Sequence, residues 1–215
     1  PLGGPGPYSA SKACSELVSA AAGTWARERG MGLATARSGN TLGGGDWAPD
    51  RIIPDCVRAA EAGESVHLRN PDAVRPWQHV LDVIWGYLTL GERLLESPAQ
   101  ASDAWNFGPA TGDEPTVGEL AHHLMEGLGR GGLLEIRPDP NGPKETGALR
   151  LDASRAQERL GWRPTLPWQD CIGWTASWYK GWMDGVDPGE LTRGQIRDFL
   201  QLVSDNSGQE NEETE

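Results

Sequence analysis

Cysteine is scarce in this chain, and long apolar runs are missing from it. The 215 residues include three cysteines, Cys14, Cys56 and Cys171, which lie far apart and are odd in number. That pattern argues against a disulfide framework and a cysteine-rich metal site, so we expect reduced thiols in core helices, as in a cytoplasmic protein. No segment approaches the roughly 18 apolar residues that a membrane helix needs, so we expect no membrane partner.

Positive charge is also in deficit. Basic residues number 19 and acidic residues 31, which gives a net charge of −12. A chain of this sign with no basic stripe is a poor binder of nucleic acid. Acidic residues crowd the last positions, so residues 204–215 are predicted to form a disordered, solvated tail.

A third absence concerns nucleotide binding. A dinucleotide-binding fold begins with a strand, a glycine-rich turn and a helix that holds the pyrophosphate. The glycines at 43–45 do follow a strand-like run, but Asp46 and Pro49 come next instead of a helix. No other segment fits that pattern, and the chain does not begin with methionine.

The remaining sequence alternates between helical and strand-like patterns. Helices are predicted over 9–29, 52–62, 82–96, 116–128, 152–160, 167–182 and 188–203, and strands over 33–37, 66–68, 104–107 and 133–136. Residues 40–50 are predicted to be a glycine-rich loop, and residues 78–80 to lead into the helix at 82–96. The helices at 9–29 and 82–96 each carry an apolar stripe predicted to face inward, and Asp82 is predicted to cap the second. Thr116 and Glu119 have the form of a capping box, and Gly63 is predicted to end the helix at 52–62. Strands separated by helices indicate an α/β fold.

Tyr8 and Lys12 stand four residues apart at the head of the first predicted helix, so their side chains share one face. An ammonium group held beside a phenol favours the phenolate, because opposite charge stabilises the ionised form. A phenolate can accept the proton of an alcohol near neutral pH, which is the chemistry of carbinol oxidation. Taken alone, however, the pair favours the plainer interpretation of a solvated helix face.

Further motifs change that balance. The segment from Arg37 to Asn40 is followed by distinctive stretches at 43–55 and 68–80. In this order, and together with Tyr8 and Lys12, they resemble the extended short-chain dehydrogenase/reductase family over nearly the whole chain. The nucleotide-sugar 4,6-dehydratases are the branch that looks most similar. The resemblance implies a Rossmann-fold dinucleotide-binding domain and a smaller, mixed substrate-binding lobe.

The same resemblance implies a domain organisation. Residues 1–37 are expected to be the remainder of the dinucleotide-binding domain, and residues 38–203 mainly the substrate-binding lobe, with segments returning to the sheet. Because the pyrophosphate-binding turn is missing, the chain is expected to be a carboxy-terminal part, with the amino-terminal half of the sheet absent. The acid and base for the elimination would then lie outside it, and the piece alone is expected to be inactive.

Roles for individual residues follow from the resemblance as well. NAD is the implied cofactor, with Tyr8 as the base for a sugar hydroxyl, Lys12 on the ribose hydroxyls and Arg37 near the nicotinamide. The substrate-binding residues it implies are Asn40, Arg51, Arg69 and Arg75. The implied reaction converts CDP-glucose to its 4-keto-6-deoxy form, in a protein that is a homodimer when complete. Another sugar nucleotide, an epimerase, or a non-catalytic remnant or binding subunit are the alternatives.

Several of these residues also have structural interpretations. Asn40 fits an ordinary loop, and Arg75 could cover Trp77 by stacking. His79, at the end of a strand, is predicted to be structural, while Trp47 and Trp77 are candidates to line a sugar pocket. Four further tryptophans fall at helical intervals and are predicted to pack in the core: Trp168, Trp174, Trp178 and Trp182.

Overall fold

The computed structural model describes residues 6–68, 70–136 and 147–212. The helices in these ranges are α1 (Pro7–Arg27), α2 (Ile52–Ala62), α3 (Val80–Glu96), α4 (Pro98–Ala101), α5 (Val117–Gly127), α6 (Ser154–Leu160), α7 (Trp168–Met183) and α8 (Pro188–Glu212). The strands are β1 (Thr35–Ser38), β2 (Asn40–Leu42), β3 (Val66–Leu68), β4 (Trp77–His79), β5 (Ala104–Phe107) and β6 (Leu134–Ile136). A 3₁₀ turn spans Gly131–Leu133.

The strands form three parallel pairs, in which β1 pairs with β5, β2 with β4 and β3 with β6. Parallel partners need crossover connections, and helices lie between the members of each pair. The predicted α/β class is therefore confirmed. Strands β3 and β5 begin and end where the sequence predicts, whereas β2 lies in a segment predicted to be a loop, because three residues are too short for a periodic signal.

The chain divides into two compact units. Unit 1 comprises 1–38, 84–107 and 152–163, and unit 2 comprises 39–83, 108–151 and 164–215. The core of unit 1 gathers apolar side chains from α3, β5 and α6 and from residue 162. At its centre the rings of Phe107 and Trp162 meet edge to face, with centroids 5.0 Å apart. Gly86 of α3 lies against Phe107, and an added Cβ would come within 2.4 Å of that ring.

Unit 2 has its own core, in which α5 packs against both α2 and α7. Cys56 and Val57 of α2, Leu120 and Leu124 of α5 and Ile172 of α7 are buried there. Helices α5 and α7 approach closely at Gly127, where a Cβ would lie 2.7 Å from that of Ala176. Helix α2 ends at Gly63, whose φ of 69° is a left-handed conformation that glycine adopts without strain.

The apolar stripes of α1 and α3 are the main departure from prediction. Leu17 and Trp25 of α1 are exposed, and Ala26 is the buried residue of that helix. On α3, Ile84, Leu88 and two other predicted core residues, Tyr87 and Leu95, are exposed as well. These residues of α3 are exposed because the helix is apolar on more than one face. Only the face that carries Leu90 packs into the core of unit 1. Cys14 of α1 is exposed as well, so the prediction of a core thiol is wrong there.

Side chains cap the starts of two helices, α5 and α8. Thr116 and Glu119 form the predicted capping box at α5, and Asp187 accepts a 2.9 Å hydrogen bond from the backbone of Glu190 at the start of α8. Asp82 is not a cap, because it lies inside the first turn of α3 and is fully buried.

The last helix, α8, is longer than predicted. It runs to Glu212, so the described backbone over 204–212 is helical where the sequence predicts a tail without regular structure. Gln201 donates a 2.8 Å hydrogen bond to Asp205 one turn along, a type of contact that supports a polar helix. Within the described ranges, no helix combines the length and apolarity required to cross a membrane.

Candidate active site

Helix α1 brings Tyr8 and Lys12 together. Gly6 precedes the helix in an extended conformation, and Pro7 occupies its first turn, where a missing N–H costs no hydrogen bond. Tyr8 therefore lies at the very start of α1, with 74 % of its surface exposed. The ammonium nitrogen of Lys12 is 5.6 Å from the centroid of the Tyr8 ring. This is a cation–π distance, and it presents a phenol and a positive charge to solvent on one helix face.

Arg37 lies on β1 and binds Glu16 of α1 through two of its three guanidinium nitrogens. Its Nε is 2.7 Å from Glu16 Oε1, and its Nη2 is 2.6 Å from Oε2. Thr35 donates a further hydrogen bond of 3.2 Å to Oε2. These contacts lower the pKa of Glu16, the hydrogen bond from Arg37 being the main cause. The group predicted to lie near the nicotinamide is thus engaged in a bidentate ion pair within unit 1.

Glu16 was missed by the sequence reasoning. It stands four residues after Lys12 and eight after Tyr8, so all three belong to one face of α1. The available signal is a carboxylate with small apolar residues, Ala13 and Ala20, one turn to either side. A charge in that position on a half-buried face implies a partner.

In unit 2, Asn40 and Arg75 lie near each other at the amino end of the β2–β4 pair. The backbone N–H of Asn40 donates a 2.9 Å hydrogen bond to the carbonyl of Pro76, and Asn40 is in register with Trp77. Gly39 permits this approach, because a Cβ there would lie 2.1 Å from that carbonyl oxygen. Arg75 is half-buried and donates a 2.8 Å hydrogen bond to the carbonyl of Val74.

Arg51 precedes α2 and faces the loop that follows β2. Its guanidinium is 3.4 Å from the carboxylate of Asp46, and both side chains are well exposed. Arg69, the remaining arginine predicted to bind substrate, lies outside the described residues.

The loop that follows β2 is fixed against α7 by aromatic side chains. Tyr179 donates a 2.6 Å hydrogen bond to the carbonyl of Asp46, and Gly44 is close enough to Trp178 that a Cβ would overlap its ring. Trp47 packs against Tyr179 and Trp182, with centroids 5.3 and 4.6 Å away. Trp47 as a whole is still 40 % exposed, so the residue predicted to line a pocket remains accessible.

The three side chains of β4 are buried. Burial lowers the pKa of His79 to about 4, so its ring is neutral at physiological pH, and its Nδ1 accepts a 3.3 Å hydrogen bond from the backbone of Leu81. A neutral, packed imidazole agrees with the structural role predicted for it. Trp77 is too deeply buried to line an open pocket. The carboxamide of Gln78, which sequence reasoning passed over, is buried without a hydrogen-bond partner among the described residues.

Among the described residues, no group of three or more His, Cys, Asp or Glu side chains could hold a metal ion. Unit 1 carries a phenol, an ammonium group and a braced carboxylate. Unit 2 contributes an amide and arginines, the donors that suit phosphate oxygens.

An α/β fold of parallel strand pairs, with tyrosine and lysine one turn apart at the start of a helix, defines the class of extended short-chain dehydrogenases/reductases. The family model described as GDP-mannose 4,6 dehydratase matches residues 1–173. The chain belongs to this family of nucleotide-sugar dehydratases.

Individual relatives agree with that assignment. The chain is 39 % identical over 210 residues to a CDP-glucose 4,6-dehydratase of Salmonella typhimurium, covering 95 % of this chain and 58 % of the relative. A dTDP-glucose 4,6-dehydratase of Streptomyces antibioticus is 30 % identical over 176 residues, which cover 81 % of this chain and 49 % of that protein. The chain spans about half the length of the curated relatives it matches.

A solved structure shows the same fold. The dTDP-glucose 4,6-dehydratase of Streptomyces venezuelae, determined with NAD bound, superposes with a TM-score of 0.66 at 28 % identity. The match covers 85 % of this chain and 54 % of that one.

Proposed function

We propose that this chain is part of an NAD-dependent nucleotide-sugar 4,6-dehydratase that acts on CDP-glucose. The observation that carries the proposal is the Lys12 ammonium, 5.6 Å from the Tyr8 ring centroid, in a chain 39 % identical to a CDP-glucose 4,6-dehydratase. In this proposal unit 1 is the remainder of the dinucleotide-binding domain, and unit 2 is the substrate-binding lobe.

Tyr8 is the proposed base of the first step. Its phenolate takes the proton of the C4 hydroxyl, and the positive charge of Lys12 favours that ionised form. When bound, NAD supplies the redox chemistry, in which hydride leaves C4 and later returns to C6 after water is lost across C5 and C6. The exposed ends of Tyr8 and Lys12 fit a cofactor, because a hydroxyl and an ammonium group can both hydrogen-bond to ribose oxygens. Cofactor contact by Arg37 stays a prediction.

The substrate diphosphate is assigned to unit 2. The guanidinium of Arg75 is a planar fork that can bind two phosphate oxygens, and the amide of Asn40 lies at the same end of the strand pair. Arg51 is a proposed additional contact, because its exposed pair with Asp46 is weak enough to be exchanged for phosphate. Arg69 is proposed for the same task from its position in the sequence.

A sugar-nucleotide assay of the natural gene product that contains this chain tests the proposal. With CDP-glucose and NAD, we expect a 4-keto-6-deoxy product, and Tyr8→Phe should lower kcat by about 100-fold or more. Tyr87→Phe is the matched control, since Tyr87 is exposed on α3 and keeps its ring contact with Phe107. Full activity in Tyr8→Phe would refute the role of the tyrosine.

The nucleotide base is tested separately. A dTDP-sugar is the second candidate substrate, because dTDP-glucose dehydratases reach 30 % identity with this chain. Parallel assays with CDP-, dTDP- and GDP-linked hexoses decide between them by kcat/KM. Turnover of dTDP-glucose alone would move the assignment to that base, and no product from any of the three would refute a dehydratase.

Assembly and location complete the proposal. We propose a homodimer for the complete protein, supported by the exposed apolar residues Leu17, Val18 and Trp25 on α1. The three cysteines are free, which fits a reducing, cytoplasmic setting. Size-exclusion chromatography with light scattering measures the oligomeric state, and a monomer at micromolar concentration would contradict the proposed homodimer.

A further inference from the structure

The face of α1 that carries Tyr8 and Lys12 also carries a competitor for the lysine. Glu16 stands one turn after Lys12, and a lysine and a glutamate at i and i+4 on a helix attract each other. Lys12 thus lies between a phenol on one side and a carboxylate on the other. An ammonium group that turns towards Glu16 moves away from Tyr8, since these residues lie in opposite directions along the helix.

Arg37 removes that competition in the structure. It engages both oxygens of Glu16 at 2.7 and 2.6 Å, a planar bidentate arrangement that a lysine cannot match. Asn106 of β5 accepts a hydrogen bond of 3.3 Å from the remaining arm of Arg37, which fixes the plane of the guanidinium. The Glu16 side chain is only 21 % exposed, so the pair is partly shielded from solvent.

The charges around this pair come from several elements of unit 1. Strand β1 supplies Arg37 and the neutral Thr35, and β5 supplies the neutral Asn106. Asp103, just before β5, forms its own ion pair with Arg155 at 2.7 Å. On α1 itself, Lys12 is the next charged group towards Tyr8.

We propose that Arg37 is a positioning residue for the Tyr8–Lys12 pair: by occupying both oxygens of Glu16, it keeps this carboxylate from drawing the Lys12 ammonium away from the phenol. The inference rests on the proposed function, because it assigns a role towards the proposed base. It gives Arg37 a task in unit 1 that differs from contact with the cofactor.

A double-mutant cycle separates this role from the alternatives. In Arg37→Gln the Glu16 carboxylate loses its ion pair and keeps the hydrogen bond from Thr35. It can then attract Lys12, so the acid limb of the kcat–pH profile should move up by about half a pH unit and kcat on that limb should fall about threefold. The double variant Glu16→Gln/Arg37→Gln has no competing carboxylate and should return the limb to its wild-type position. Arg29→Gln, which removes an exposed arginine of unit 1 that stacks on Trp25, is the matched control and should not move the limb.

Other roles for Arg37 predict other results. A purely structural brace between α1 and β1 would be lost in Arg37→Gln, and the double variant would not recover. A contact with the cofactor would raise the KM for NAD in Arg37→Gln and leave it raised in the double variant. Failure of the double variant to restore the acid limb therefore overturns the proposal.

A second measurement on the natural gene product does not depend on turnover. With tyrosine labelled by 13C at Cζ, the Tyr8 signal is assigned by its loss in Tyr8→Phe, and its ionisation is followed against pH. Arg37→Gln should shift the transition of that signal to higher pH, and the double variant should restore it. If no sugar nucleotide is turned over, the proposed function fails while this titration still decides the role of Arg37; an unmoved Tyr8 transition in Arg37→Gln overturns it.

Discussion

The carboxylate of Asp82 accepts a hydrogen bond of 2.7 Å from the backbone N–H of Thr165, a residue 83 positions further along the chain. Its second oxygen accepts another, of 3.2 Å, from Leu166. Asp113 completes the arrangement by accepting a 3.0 Å hydrogen bond from Trp168, the first residue of α7. Two carboxylates of unit 2 thus satisfy backbone donors where α7 begins, which fixes the helix that holds the loop after β2.

Removal of the Asp82 carboxylate should destabilise the fold. In Asp82→Ala the buried N–H of Leu166 and the partly buried N–H of Thr165 lose their acceptor, and we expect the free energy of unfolding to fall by about 3 kcal/mol or more. Asp82→Asn keeps one carbonyl acceptor and should cost less. Asp198→Ala, an exposed aspartate on α8, is the control and should stay within about 0.5 kcal/mol of wild type. Urea denaturation measures all three, and an Asp82→Ala variant as stable as the control would contradict the expectation.

The same carboxylate should make stability depend on pH. Burial raises the pKa of Asp82 from 3.8 to about 6, although its backbone hydrogen bonds act in the opposite direction. Between about pH 4 and 6 the folded protein holds a proton that the unfolded chain has released, so stability falls as pH rises through that range. This shift in the pKa of Asp82 corresponds to a change of about 3 kcal/mol in the free energy of unfolding.

Asp82→Asn isolates this contribution, because it cannot titrate there. The unfolding free energy of wild type minus that of Asp82→Asn should therefore grow as pH is lowered from 7 to 4. A difference that stays constant over this range would show that the carboxylate is not desolvated.

Replacing either of two glycines of α3 by alanine should change the stability of the protein, but in opposite directions. Gly86→Ala places a Cβ 2.4 Å from the Phe107 ring and should destabilise the protein by about 1–3 kcal/mol. Gly91→Ala meets no atom within 4 Å and should stabilise it by about 1 kcal/mol, because alanine is the better helix former. Thermal unfolding of the two variants measures the difference. Equal effects would mean that α3 does not pack against Phe107 as described.

The sequence predicts features that depend on local chemistry. The capping box at Thr116 and the αL glycine at position 63 follow from neighbouring residue types alone. The pairing of Tyr8 with Lys12 also follows, because the i,i+4 spacing fixes their separation once the helix is given.

What the sequence does not predict depends on distant partners. Asp82 has the position of a cap, yet its acceptors serve residues more than eighty positions away. Arg37 resembles a ligand-binding residue, while its binding partner is set by how β1 lies against α1. The apolar faces of α1 and α3 show the same limit, because periodicity reveals that a face is apolar and not whether anything covers it.

The capping box offers a test of local prediction. Thr116 accepts a 3.1 Å hydrogen bond from the backbone of Glu119, and Glu119 accepts one of 2.8 Å from the backbone of Thr116. Thr116→Ala should lower stability by about 1 kcal/mol, whereas Thr116→Ser keeps the hydroxyl and should be close to neutral. The hydrogen bonds from Thr116 lower the pKa of Glu119. The stability that the ionised carboxylate contributes should therefore be lost as pH falls below 4.5, the ordinary pKa of a glutamate. Equal stability of the alanine and serine variants in chemical denaturation would refute the cap.

The thiols of the isolated 215-residue chain should differ sharply in reactivity. Burial raises the pKa of Cys56 to about 12 and also raises that of Cys171, so neither offers thiolate near neutral pH. Cys14 is exposed on α1 and has no such protection. A disulfide reagent at pH 8 should therefore modify one thiol rapidly under native conditions and all three after denaturation. Cys14→Ser should abolish the rapid phase and Cys56→Ser should leave it intact, whereas a rapid phase that survives Cys14→Ser would place another thiol at the surface.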